Sequence, residues 1–285
     1  NRPDNSLRKC RQNDRKRRKT MAKLTCNFIS STLKRAVDIT VVIPSVTFPE
    51  ACGDGAVTGV VPRHKKSEKY PVLYLLHGVG NDHATWDSYT KVELYAEERN
   101  LAVVMISGEN KMYINQGDDF FKGDRFFDFI EDELQDFVQQ MFPVSDRVED
   151  TYLAGLSMGA MGTMLHGLKH PEKYGAIGAF SAGLFLPPTE ADNWDPKLHP
   201  MTLLEQLKEN GIKNMKIFMG CGDLDPLFEG CEKSAAMLTE SGQDVTWVPV
   251  KGYAHEWRLW DILVEQFMDW IPRSDHFASL GKRKI

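Results

Sequence analysis

The sequence has no apolar run approaching the ~20 residues that a membrane-spanning helix requires. It has few cysteines: Cys10, Cys26, Cys52, Cys221 and Cys231 are odd in number and widely scattered among 285 residues. That spacing excludes a disulfide framework or a paired-cysteine metal site, and predicts free thiols in a reducing cytoplasm. No H-E-x-x-H occurs. The nearest pattern, His166-Gly-Leu-Lys-His170, lacks the glutamate and stops at Pro171, as a helix end would. Internal repeats and low-complexity tracts are absent, and no signal-peptide pattern opens the chain. Positive charge is scarce once residues 1–20 are set aside. Those twenty carry nine Lys/Arg against Asp4 and Asp14, a net of +7, which leaves −12 on residues 21–285. An acidic body repels phosphate backbones, so neither nucleic acid nor a membrane is an expected partner.

What is present suits one globular α/β unit: 42% hydrophobic and 10% aromatic residues. Residues 1–20 offer only Leu7 for packing and read as a disordered basic leader, more simply an expression-derived segment before Met21 than a binding arm. Residues 273–285 read as a loose tail. Between them, "LKRAVDITVVI" (33–43) alternates like an amphipathic edge strand stopped by Pro44. "PVLYLLHG" (71–78), "LAVVMISG" (101–108), "TYLAG" (151–155) and "AIGAFSAG" (176–183) are apolar runs ending in glycine. With "MKIFMGCG" (215–222) and "DVTWVPV" (244–250), they fit strands buried in a parallel sheet.

Helical patterns separate them at 87–100, 125–142, 158–170, 229–242 and 255–271. In the last, Trp257, Trp260, Leu263, Phe267 and Trp270 recur every three or four residues. The alternation predicts one mostly parallel, doubly wound sheet with helices on both faces, spanning 21–272 and antiparallel at its N-terminal edge. Residues 184–214 break the rhythm and read as a small insertion placed over the site.

Catalytic groups in open parallel sheets gather at the carboxyl ends of strands. There "TYLAGLSMGAMGT" (151–163) passes from an apolar strand through Gly155-Leu156-Ser157-Met158-Gly159 into a helix. A nucleophile elbow needs small flanking residues because the strained turn crowds its neighbours, and Gly155 and Gly159 supply them. The helix N-terminus beyond Ser157 offers unpaired N–H groups to a developing oxyanion.

A serine needs a base. Of the histidines, His64 and His276 lie in polar segments, His199 lies in the insertion, and His77 follows a buried strand as a loop-shaping residue. His255, in "VPVKGYAHEW", stands past the last strand on the same rim as Ser157. The orienting acid belongs between them in chain order, where "FMGCGDLDPLFEG" offers Asp223 and Asp225; position alone does not choose. One would hold the imidazole and the other would cap a turn. Oxyanion donors are expected from the N–H of Met158 and from "LLHGVGNDHATW", where Gly78 and Gly80 flank Val79.

Together "YLLHGVGNDHATW", "FFDFIEDELQDFVQQMFP", "AGLSMGAMG", "CGDLDPLF" and "HEWRLW" resemble one esterase branch of the α/β-hydrolases. That branch includes tributyrin and acetyl esterases, feruloyl esterases and S-formylglutathione hydrolase. The likeness runs from Met21 to Trp270 and leans to the tributyrin-esterase group. It implies an α/β-hydrolase fold, puts the acid at Asp225, and matches Ser157, His255 and the amides of Val79 and Met158. Ala160 stands where that branch usually has a second glycine, and 184–214 has no counterpart to carry over.

The expectation is a metal-free, cofactor-free cytoplasmic serine carboxylesterase for short-chain esters, a small-molecule partner, with a homo-oligomer implied by the resemblance. Trp86, Phe120, Phe121, Trp194 and Trp257, in rim segments, are the pocket candidates for an aromatic acyl group such as ferulate. S-formylglutathione hydrolysis is the rival activity, and the acidic body disfavours it. An inactive hydrolase scaffold used for binding is the rival class, and the complete set of serine, acid, base and glycines disfavours it.

Overall fold

Each central strand is built from a short apolar run whose alternate residues feed two different cores. The computed structural model describes residues 22–44, 69–116, 124–183 and 195–280. In β3 (Val72–Leu76), Val72, Tyr74 and Leu76 point to one face of the sheet while Leu73 and Leu75 point to the other, and all five are buried. Burial on both faces explains why these strands are continuously apolar rather than alternating.

Among the described residues the sheet has eight strands: β1 (Ala22–Ser30), β2 (Arg35–Ile43), β3, β4 (Ala102–Ile106), β5 (Thr151–Leu156), β6 (Ala176–Phe180), β7 (Lys216–Gly222) and β8 (Asp244–Val250). Their spatial order is β1-β2-β4-β3-β5-β6-β7-β8. β1 and β2 form an antiparallel hairpin, β2 also runs antiparallel to β4, and every other pairing is parallel.

Among the described residues, seven α-helical elements cover it. They are α1 (Thr85–Tyr89), α2 (Val92–Arg99), the composite α3, α4 (Met158–Lys169), α5 (Pro200–Glu209), α6 (Phe228–Glu240) and α7 (Trp257–Trp270). α3 starts as Phe126–Asp128, widens into a π-helical turn at Phe129–Leu134 and finishes as Gln135–Met141. α3 to α6 pack on the Tyr74 face, while α2 and α7 pack on the Leu73 face. This is the expected α/β-hydrolase architecture, with helices on both faces.

Four local expectations differ from what is found. The edge strand is β1 rather than 33–43, and β2 lies one place inside it. The helix expected over 87–100 is two helices, because the Thr90 hydroxyl bonds the Trp86 carbonyl and the chain breaks before Val92. Within 184–214, residues 200–209 are the crossover helix between β6 and β7, burying Leu203, Leu204 and Leu207, and not an insertion. Residues 273–280 are packed rather than loose: Phe277 is buried and stacks on Tyr70, with centroids 4.9 Å apart. Residues 1–20 and 184–194 lie outside the described residues.

Candidate active site

Strand β5 delivers Ser157 to the rim and helix α4 leaves from the next residue. Ser157 adopts φ 51°, ψ −115°. A non-glycine residue in that region is strained and persists only where the surroundings impose it. Here the imposing contact is close backbone packing: a Cβ on Gly159 would lie 2.4 Å from the Leu76 carbonyl oxygen, and one on Gly155 would lie 2.5 Å from the Gly159 carbonyl. No side chain fits either position, which is why the elbow carries glycine on both flanks.

His255 follows β8. Its Nε2 lies 3.0 Å from Ser157 Oγ, and its Nδ1 lies 2.8 Å from Asp225 Oδ2. A carboxylate only accepts, so Nδ1 carries the proton and Nε2 offers its lone pair to the serine hydroxyl. The imidazole edge packs against Trp260, with centroids 4.9 Å apart. Asp225 is buried and its Oδ1 accepts from Leu227 N (2.9 Å), which fixes the carboxylate plane.

Asp223 does the other job foreseen for the pair. Its Oδ1 accepts from Gly252 N (2.6 Å) and its N–H donates to Val250 O (3.0 Å). Leu224 N also donates to Tyr253 O (3.0 Å), so the β7–β8 ladder continues past the sheet and holds the acid loop to the base loop.

The loop after β3 lies against Ser157, since a Cβ on Gly78 would sit 3.4 Å from Ser157 Cβ. Val79 is 64% exposed, and among the described residues nothing bonds the N–H of Val79 or of Met158. His77 is wholly buried, and burial pushes its pKa below the usual value. Gly108 N donates to its Nε2 (2.7 Å), so its Nδ1 carries the proton and donates to Gly78 O (2.7 Å). Asn81 and Asn110 also bond this loop, and the sequence reading passed over both.

The pocket candidates are placed unevenly. Trp86 is fully buried and its Nε1 donates to the Leu76 carbonyl (3.0 Å), so it belongs to the core and not to an open pocket. Trp257 is partly buried, packed edge-on against Trp86 and Trp260 and stacked on exposed Tyr89 at 5.1 Å. Phe120, Phe121 and Trp194 lie outside the described residues.

His166 and His170 hold no joint ligand set. The first is buried between Glu131 (2.6 Å) and the Tyr113 carbonyl (2.9 Å); the second faces Glu172. Burial alone would raise the pKa of Glu131, but the bonds from His166 and Tyr174 and the charge of Lys173 outweigh it and hold it at about 2. Among the described residues no cluster of His, Cys, Asp and Glu could hold a metal, and no helix is long and apolar enough to cross a membrane.

A strained serine at a strand–helix elbow, on a mostly parallel sheet and beside an imidazole and a buried carboxylate, defines an α/β-hydrolase. The family model described as "Putative esterase" matches residues 55–271, and the chain belongs to that family. It is a carboxylic ester hydrolase. The chain is similar to an acetyl esterase of Caldicellulosiruptor saccharolyticus, 26% identical over 89% of this chain and 99% of the relative. It is also 30% identical, over 70% of its length, to an endo-1,4-beta-xylanase/feruloyl esterase of Xylanibacter ruminicola, of which it spans 26%. Among solved structures, a fluorophosphonate-binding serine hydrolase of Staphylococcus aureus superposes with a TM-score of 0.72 at 24% identity, covering 90% of this chain and all of that one.

Proposed function

We propose that the chain is a serine carboxylesterase for short-chain acyl esters, acting through an acyl-enzyme on Ser157. The observation that carries this reading is the continuous relay Ser157 Oγ–His255–Asp225, at 3.0 and 2.8 Å. Ser157 Oγ attacks the ester carbonyl as its proton passes to His255 Nε2, and the imidazolium is stabilised by Asp225. The carbonyl oxygen, now an anion, is held by the N–H groups of Val79 and Met158. Collapse expels the alcohol, which takes the proton from Nε2. Water then enters by the same route and releases the acid and the free serine.

Acetyl and butyryl esters are the preferred class. A hydroxycinnamoyl ester is the second reading, favoured by the exposed Tyr89 stacked on Trp257. S-formylglutathione carries extra carboxylates, and a body with −12 on residues 21–285 disfavours it. The test is hydrolysis of p-nitrophenyl esters from acetyl to decanoyl, with methyl ferulate and S-formylglutathione alongside. The expected rates peak at the short acyl chains and vanish in Ser157→Ala. A folded Ser157→Ala protein that keeps full activity removes the serine from the mechanism, and a peak at methyl ferulate transfers the preference to the second reading.

A further inference from the structure

Four backbone polar groups flank Val79: the carbonyls of Gly78 and Val79 and the N–H groups of Val79 and Gly80. Three of them are spent. Gly78 O accepts from His77 Nδ1 (2.7 Å) and Asn81 Nδ2 (3.3 Å). Val79 O accepts from Asn81 Nδ2 (3.1 Å), and Gly80 N donates to Asn110 Oδ1 (2.7 Å). Among the described residues the Val79 N–H is left over. Because a trans peptide is planar, pinning Gly78 O on one side aims the Val79 N–H to the other.

We infer that Asn110, together with Asn81 and His77, is a positioning residue that clamps both peptide planes at Val79 and holds its N–H ready for the oxyanion. The inference rests on the proposed function, in which that N–H is a donor. An oxyanion hole works by being set before charge develops, so the clamp supplies rate without touching substrate.

Asn110 comes from the loop after a different strand, β4, and that loop is firmly held. Glu109, Asn110, Met112 and Tyr113 all lie at positive φ, between 46° and 59°. Such a run of non-glycine residues needs outside support, and Asn is among the few types that take this conformation readily. Support comes from Glu109 paired with Arg35 (2.8 Å), and from the buried Tyr113, whose hydroxyl donates to His77 O (2.9 Å) and whose carbonyl meets His166 Nε2 (2.9 Å). The β4 loop therefore braces the β3 loop from two sides: Tyr113 before Gly78 and Asn110 after Val79.

Asn110→Gly separates the two properties of this residue, because glycine takes positive φ freely but lacks the acceptor. With p-nitrophenyl acetate, kcat falls about 10- to 100-fold, the size of a misplaced catalytic group, while KM stays within about twofold. The midpoint of the pH–rate profile does not move, because the Ser157–His255–Asp225 relay is untouched. Affinity for phenylboronic acid, whose tetrahedral adduct on serine presents an oxygen to the same N–H, falls by the same factor as kcat. Asn81→Ala gives the same signature and serves if Asn110→Gly fails to fold. Undiminished kcat in a folded variant, or a fall in kcat with unchanged boronate affinity, overturns the clamp. Ser157→Ala is run in parallel: if it retains activity the proposed function itself fails, whereas an inert Ser157→Ala beside a fully active Asn110→Gly sinks only the clamp.

Discussion

Asp225→Asn and Asp223→Asn differ by two residues and should differ by about four orders of magnitude. Asp225 Oδ1 accepts from Leu227 N and Oδ2 accepts from His255 Nδ1. In Asp225→Asn the Leu227 N–H keeps the amide oxygen at Oδ1, so the new NH2 group faces His255. Two donors then confront each other, and the imidazole relieves this by moving its proton to Nε2. That nitrogen now points an N–H at Ser157 Oγ and no longer accepts the serine proton. A wrong tautomer of this kind lowers kcat by ~10⁴ in serine proteases, and four decades correspond to about 5.4 kcal/mol of activation free energy. The protein stays folded, since shape and one of the two bonds are kept. In Asp223→Asn the amide oxygen still accepts from Gly252 N, and the expected change in kcat is within about twofold. Stopped-flow acylation and steady-state rates with p-nitrophenyl acetate measure both variants. Loss of activity in Asp223→Asn with retention in Asp225→Asn would refute the assignment of the acid.

Two further outcomes test the scaffold. In Gly159→Ala the added methyl meets the Leu76 and His77 carbonyls at 2.4 and 2.7 Å, both backbone, so α4 must shift from β3. Urea unfolding should show a loss of roughly 1–3 kcal/mol, and kcat should fall with it; an unchanged midpoint contradicts the packing argument. The folded-state pKa of Glu131 is held at about 2, below the ordinary 4.5, so its contribution is complete above the ordinary value and fades as pH falls through 4.5 toward 2. That shift corresponds to about 3 kcal/mol, and the stability gap between wild type and Glu131→Gln should shrink by this amount between pH 6 and pH 2. A gap that stays constant with pH removes the ionised Glu131 from the account.

Much of this molecule is readable from residue order because its central strands are buried on two faces. Apolar runs ending in glycine mark β3, β4, β5 and β6 to within three residues, and the glycines on either side of Ser157 mark the elbow. The choice between Asp223 and Asp225 was not readable from position, since both follow β7 and only the bonds to Gly252 and His255 separate them. β1 is weakly announced: Ala22, Leu24, Cys26 and Phe28 do alternate with polar residues, but Lys23, Leu24, Thr25 and Asn27 are all exposed and the strand buries little apolar surface. Trp86 looked like a rim aromatic, but its indole N–H is satisfied by a strand carbonyl, so the ring goes inside. The packing of Phe277 on Tyr70 depends on a contact between residues some two hundred positions apart, which no local pattern announces.

Strand β5, which carries Ser157, has neighbours on both sides; β8, which leads to His255, is one of the two edge strands and, among the described residues, pairs with β7 alone. The proposed mechanism thus draws its attacking atom from a strand paired on both sides and its proton acceptor from the loop after an edge strand. Margins of sheets open at lower free-energy cost than their interiors. Warming would therefore silence turnover by fraying that outer margin while the middle of the molecule still held together.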